Sequence, residues 1–290
     1  TRVRSSAASD VYKRQEWDNG LYFDRQGSLF DVPYNQTLEP RLYYVWANAD
    51  ADQNDIPDFD TDLQTFRFDQ LFQPDRFTGG DRVGDANQLT VALTSRFNDL
   101  LTGAERARFS IGQVQYFDDR EVTLFGEGGG TRSRSPLAGE VVLNPLDTLE
   151  IRSSGLWDPD TGDTEEGRSQ LTFHSSDYRY LASLGHTYSR DELEQSDIAT
   201  VFPVTDRVSL IGRWVYDSSL DRTVGSLAGL EYNNCCWSIQ VVHQNYLTYD
   251  RELQGRILFQ IQLKGLGGSG GASSSISEAI YGFDERESRR

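Results

Sequence analysis

With 290 residues, 37% of them apolar and 12% aromatic, the chain carries too much apolar surface for an intrinsically disordered segment. Its 28 basic against 45 acidic residues leave a formal net charge of −17, which excludes a general nucleic-acid binder, because phosphates demand a basic surface. No run approaches the roughly 18 to 20 consecutive apolar residues of a spanning helix, but a mean hydropathy of −0.57 is compatible with a membrane barrel, whose strands alternate lipid-facing and lumen-facing side chains.

The chain opens on residues 1–15, ending in SSAASDVYKRQ, which resembles translated sequencing adaptor and is set apart as non-native. There is no methionine and no basic, apolar and cleavable leader, so the chain is expected to be a piece of a longer protein. All basic residues except Lys13 and Lys264 are arginines. That bias suits bidentate phosphate recognition, and it follows equally well from a GC-rich genome.

From Glu16 onward, segments of about ten residues with alternating apolarity are separated by clusters of Asn, Asp, Gly, Ser and Pro, the pattern of repeated β-hairpins. The first predicted strands cover residues 21–24 and 37–47. A long polar connection, 48–85, comes next, with room for a short helical turn in 62–72. Strand 88–97 sets Leu89, Val91, Leu93 and Phe97 against Gln88, Thr90, Thr94 and Arg96. Strand 106–117 begins with Ala107, Phe109 and Ile111 on the apolar face and then shifts to Val114 and Tyr116, which predicts a β-bulge near Gly112.

Beyond the loop 118–131, strands are predicted at 134–143, 146–157, 168–175, 178–189, 196–204, 208–217, 223–232 and 237–246. The clearest strand is the last, where Ile257, Phe259, Ile261 and Leu263 share one face and Arg256, Gln260, Gln262 and Lys264 the other. A Gly/Ser-rich tail, 266–290, closes the chain, with a short helical turn expected in 275–280. Tight joints are expected at 144–145, 175–177, 205–206 and 233–234, and longer polar ones at 158–167, 190–195 and 248–252. Short turns on one side and long loops on the other are the rhythm of an outer-membrane barrel, and aromatics near strand ends, such as Trp46, Tyr116 and Trp214, suit interfacial girdles. The expected class is all-β: an antiparallel transmembrane β-barrel, incomplete here, with about a dozen strands in residues 16–265. A soluble β-sandwich alternates too, but rarely carries so many arginines and glutamines on one face.

Chemistry-bearing motifs fail on inspection. Asp50, Asp52 and Asn54 start like a calcium loop, but Asp55 stands where glycine is required and Thr61 where the bidentate glutamate belongs. Residues 158–169 fail in the same way. Gly267-Gly268-Ser269-Gly270-Gly271 matches G-x-S-x-G without the flanking strand and helix of a nucleophile elbow. His174, His186 and His243 lack metal-ligand spacing and support no triad. No catalytic, cofactor or metal residue is therefore assigned, and an enzyme is not expected. Cys235 and Cys236 are the exception. Adjacent Cα atoms stand about 3.8 Å apart, less than the usual disulfide span, so the two do not pair easily with each other. Either each pairs outside this chain in an oxidising compartment, or both are free thiols in a turn.

Several stretches resemble the LPS-assembly outer-membrane protein family (LptD, also called organic solvent tolerance protein). The most specific is residues 59–97, FDTDLQTFRFDQLFQPDRFTGGDRVGDANQLTVALTSRF, preceded by QTLEPRLYYVW at 36–46 and succeeded by RFSIGQVQYF at 108–117 and the vicinal cysteines. The resemblance implies a large barrel in the outer membrane of a Gram-negative bacterium, inserted by the barrel-assembly machinery. It implies a lipoprotein plug (LptE-like) inside, lipopolysaccharide as cargo, and an N-terminal periplasmic domain that receives it from a protein bridge. It also implies that Cys235 and Cys236 match the pair bonded to cysteines of that N-terminal domain. Arg256, Ile257, Leu258, Phe259, Gln260, Ile261, Gln262, Leu263 and Lys264 would form the last strand, one lip of a lateral gate. The alternative reading is a passive porin or receptor barrel.

Overall fold

A computed structural model describes residues 12–29, 32–49, 53, 57, 59–79, 81–248, 252–263 and 267–288. Among them are fifteen strands in the pairing order β1-β3-β4 and onward to β15, with β2 also on β3; the pairings from β1 to β5 and from β8 to β15 are antiparallel. The strands are β1 (Tyr12–Gly20), β2 (Phe23–Leu29), β3 (Val32–Ala49), β4 (Ala86–Asp99), β5 (Glu105–Tyr116), β6 (Leu137–Leu146), β7 (Leu149–Asp158) and β8 (Asp163–His174). They continue with β9 (Leu181–Ser189), β10 (Leu193–Pro203), β11 (Val208–Asp217), β12 (Arg222–Asn233), β13 (Trp237–Leu247), β14 (Leu253–Leu263) and β15 (Gly267–Gly270). Two helices close the described chain, α1 (Ala272–Ala279) and α2 (Phe283–Ser288). No described helix is long and apolar enough to cross a membrane. Residues 1–11 lie outside the described ones, and β1 begins within the adaptor-like stretch.

Two compact units divide the chain: the described residues up to Glu140 with Gly155–Thr164, and Val141–Ser154 with those from Glu165 on. In the first, β1 and β2 run one after the other along β3, from Tyr12↔Ala49 to Gly20↔Arg41 and from Phe23↔Leu38 to Leu29↔Val32. The break lies beside Pro40, which has no N–H to give to a ladder; its carbonyl still accepts from the Leu21 N–H at 2.9 Å. Period-two alternation sends Leu42, Val91, Leu93, Phe109 and Ile111 to one exposed face. The opposite face carries Thr90, Ala92, Ser110, Gly112 and Val114, all buried.

The connection from β3 to β4 buries that inner face. A single 3-10 turn, Asp69–Phe72, all that forms of the helix expected in 62–72, sets Leu71 against Val114, Ala138 and Leu156. Thr90 Oγ1 donates to the Leu71 carbonyl at 2.7 Å. The apolar shift in β5 is therefore no bulge at Gly112: the register runs unbroken from Gln88↔Tyr116 to Phe97↔Ala107, and the irregularity falls at Arg106, between Phe97 and Asn98. Val114 and Tyr116 are apolar because they face the folded-in loop rather than the exposed side.

The two long connections of this unit share a small core of Phe77, Val122 and Leu124. Arg76 clamps them, donating to the Asp85 carboxylate at 2.6 Å and to the Val122 carbonyl at 2.5 Å. Burial raises the pKa of Asp85, but the Arg76 hydrogen bond and the amides of Glu121 and Val122 outweigh it and hold the carboxyl below its ordinary value. For Asp75 burial wins over the amides of Phe77 and Gly84, and the pKa is raised.

Two connections expected to be long, 158–167 and 190–195, are short, whereas 248–252 separates β13 from β14 as expected. Glu165 and Glu166 already belong to β8, and only 190–192 separates β9 from β10, with Asp191 at φ 59°. The joint expected at 144–145 lies inside β6, and the turn falls at 147–148. The exposed face of the second unit reads Leu184, Ile198, Trp214, Leu210, Leu230, Val241 and Phe259 through successive registers. The inner face packs Leu181, Val201, Ile211, Leu227 and Val242 against Ile276, Ile280 and Phe283 of the helical segment.

Candidate functional site

The first candidate element is β14. Its pleat puts Ile257, Phe259, Ile261 and Leu263 on the exposed apolar face, and Arg256, Leu258, Gln260 and Gln262 on the other. β13 pairs with it along its whole length, Trp237↔Leu263 to Leu247↔Leu253. On its other edge only Gln260–Leu263 are paired, to Gly270–Gly267 of β15. Among the described residues, the stretch 253–258 has no strand partner on that side. Inside, Arg256 donates through Nε and Nη2 to Gln244 Oε1 at 3.0 and 2.9 Å and lies over the Tyr246 ring at 5.2 Å. The strand expected at 256–264 is present from Leu253 to Leu263, with Lys264 outside the described residues; it is not the last described strand, because the short β15 comes after it.

The second element is the β12–β13 turn that carries Cys235 and Cys236. Asn234 N–H donates to the Trp237 carbonyl at 2.9 Å and Cys235 N–H to Asn234 Oδ1 at 2.8 Å, so the turn is tight. Asn233 N–H ties it to the neighbouring turn through the Arg207 carbonyl at 2.7 Å. Both thiols are exposed, with their sulfurs 2.8 Å apart. The register Trp237↔Leu263 places this turn beside the end of β14 that β15 covers.

The third element, in the first unit, is a charge ladder on the inner face. Arg96 and Arg108 stand directly opposite each other in register, a repulsive pairing. Glu105 lies between them, 2.7 Å from Arg96 and 3.4 Å from Arg108. Glu39 closes the row on one side at 3.3 Å and Glu140 on the other at 3.2 Å. Sequence reading did not find this ladder, since its members belong to four strands and only the register brings them together. Among the described residues no cluster of His, Cys, Asp and Glu has metal-binding geometry.

The sequence model of the family described as LptD, LPS transport system D, matches residues 5–208. The LPS-assembly protein LptD of Marinobacter nauticus is 80% identical over 276 residues, 95% of this chain and 35% of that protein. Its namesakes in Hahella chejuensis and Pseudomonas syringae pv. syringae are 48% and 36% identical, over 94% and 93% of this chain and 35% and 34% of their own lengths. The chain spans about a third of the length of the curated relatives it matches. Among solved structures, the ferric-catecholate import receptor Fiu of E. coli K12 aligns over 87% of this chain and 45% of its own, at 11% identity and a TM-score of 0.37.

Proposed function

Because the chain belongs to the LptD family, we propose that the full-length protein inserts lipopolysaccharide into the outer leaflet of the Gram-negative outer membrane, and that this chain supplies barrel wall, one lip of a lateral gate and a disulfide anchor. The observation that supports the gate assignment is β14 itself, a strand paired to β13 along its whole length that sets an exposed apolar face, Ile257 to Leu263, against a face carrying Arg256, Gln260 and Gln262. In hydrocarbon each unpaired backbone group costs several kcal/mol. A seam that opens must therefore pair weakly, and the sugars and phosphates of a passing lipid must take over part of its hydrogen bonding.

Cys235 and Cys236 are proposed to bond cysteines outside this chain, which would fix a periplasmic domain under the short-turn end of β14. The partners belong to the same proposal: an LptE-like lipoprotein plug, a periplasmic bridge delivering lipopolysaccharide, and the barrel-assembly machinery. The relatives in Marinobacter and Hahella are assembly proteins by name, and a non-enzymatic role is part of the reading. A passive porin or receptor is disfavoured by the vicinal cysteines. The test is a covalent staple between the 253–258 stretch of β14 and the first barrel strand of the intact protein. Surface delivery of lipopolysaccharide should stop, and normal delivery after confirmed cross-linking overturns the gate.

A further inference from the structure

The segment after β14 occupies two surfaces at once. β15 takes the edge of β14 from Gln260 to Leu263, and Gly271 N–H extends the contact to the Phe259 carbonyl at 3.3 Å. A strand of sequence GGSG brings no large side chains to cross-strand packing and loses much backbone freedom on ordering, so its position depends on the helices beyond it. These are α1 and α2, whose Ile276, Ile280 and Phe283 are buried on the inner face against Leu181, Val201, Ile211 and Val242. Ser273 N–H donates to Gln260 Oε1 of β14 at 2.6 Å. At the far end Arg286, fully buried, lies 2.7 Å from the equally buried Glu231 of β12 and donates to Ser209 Oγ of β11 at 3.1 Å.

The cover also carries a cost. Gln240 sits between Glu231 and Gln260 in the same cross-strand row. It is 1% exposed, and its Nε2 and Oε1 are both buried with no hydrogen-bond partner among the described residues. An amide left so is destabilising, and water would satisfy it if the cover lifted. A specific clamp and a specific penalty in one docked segment are the ingredients of a two-state element.

We propose that residues 267–288 form a reversible latch on the gate edge, a reading that rests on β14 being a gate strand. Closed, the latch holds the cysteine-turn end of that edge through β15 and covers the inner face behind it. Open, it frees the edge from Phe259 to Leu263 for the opposite lip of the seam and uncovers Glu231, Gln240 and Gln260.

The experiment uses the full-length protein with Gln262→Cys and Gly268→Cys, register partners in β14 and β15, oxidised and confirmed as cross-linked by mass mapping. The staple between 253–258 and the first barrel strand is run in parallel, as are the single-cysteine variants. The latch predicts that the locked protein loses surface delivery by roughly tenfold or more, as expected when one state of a two-state element is abolished, while the single variants do not. Normal delivery in the locked protein with delivery blocked by the staple overturns the latch and leaves the gate standing. Normal delivery with the staple removes the gate and the latch together. Independently, Arg286→Ala should raise maleimide labelling of Ser275→Cys by about tenfold or more, because a buried pair that loses one partner is strongly destabilised. Unchanged labelling overturns the clamp.

Discussion

Gly112 of β5 lies directly beneath Leu71 of the folded-in loop: a Cβ at position 112 would stand 2.7 Å from Leu71 Cδ1 and 2.9 Å from Ala92 Cβ. The wall is one side chain thinner at this point, and the 3-10 turn seats into the space. Gly112→Ala should therefore dislodge the turn at a cost of about 1 to 3 kcal/mol from overpacking. Limited proteolysis within 59–79 reads it. Faster cleavage with the barrel still heat-modifiable is the expected result, and an unchanged rate would show that the loop does not rest on Gly112.

Acid should loosen the same loop through Asp85. Its folded pKa is depressed, so its contribution is complete above the unfolded value and is lost as pH falls through the folded one. Asp75 acts with the opposite sign. Its folded pKa is raised, so its contribution is complete below the unfolded value and lost as pH climbs through the folded one. Cleavage of the loop should accelerate on acidification below the ordinary carboxylate range, and Asp85→Asn should flatten that limb. An acid limb of equal steepness in Asp85→Asn would remove Asp85 as its cause.

The inner charge ladder should be worth little per rung. Arg96 and Glu105 are about a third exposed, so solvent screens them, and a double-mutant cycle should give a coupling of about 1 kcal/mol or less that shrinks with salt. A coupling several times larger, or one insensitive to salt, would mean that the row is shielded from solvent in the intact protein.

The two faces of the second unit should respond oppositely to charge. Val241 lies on the exposed apolar face between Leu230 and Phe259, so Val241→Arg should lower the yield of folded protein in outer membranes, with a cost of about 2 to 4 kcal/mol at the bilayer midplane. Gln254, on the opposite face of β14, should accept arginine with little loss. Equal tolerance at both positions would argue against lipid on the Val241 side.

How much of the fold was legible in the sequence depends on what each face touches. In β14 and β11 one face is exposed and apolar while the other carries mostly polar side chains, Arg256, Gln260 and Gln262 in β14 and Ser209, Arg213 and Asp217 in β11, so the alternation from Ile257 to Leu263 and from Val208 to Tyr216 reads directly as strand. In β5 the inner face meets Leu71, so Val114 and Tyr116 imitate a change of phase. Polar runs such as 163–167 imitate loops because that end of β8 has no apolar surface to bury against, yet the ladder continues through it. β15 is unreadable because period two needs side chains and GGSG has almost none. The pairing of Arg286 with Glu231 depends wholly on the register of β12 and the path of α2. The tight turn at Cys235 and Cys236 was readable from Asn233 and Asn234, whereas the cover over β14 left no local signature beyond the expected turn in 275–280.

Each residue step of about 3.3 Å along β14 turns the strand from one face to the other, and the stretch 253–258, without a strand partner on one side among the described residues, adds a row of amide donors and acceptors. Hydrocarbon-like surface at Ile257 and Phe259, backbone dipoles along 253–258, and guanidinium and amide groups at Arg256 and Gln254 therefore meet within the width of a single chain. In a bilayer those three media are stacked in depth, from tails to headgroups to water. At this edge they stand side by side: the phase boundary is turned upright, with apolar surface, backbone dipoles and ionic groups sharing one depth.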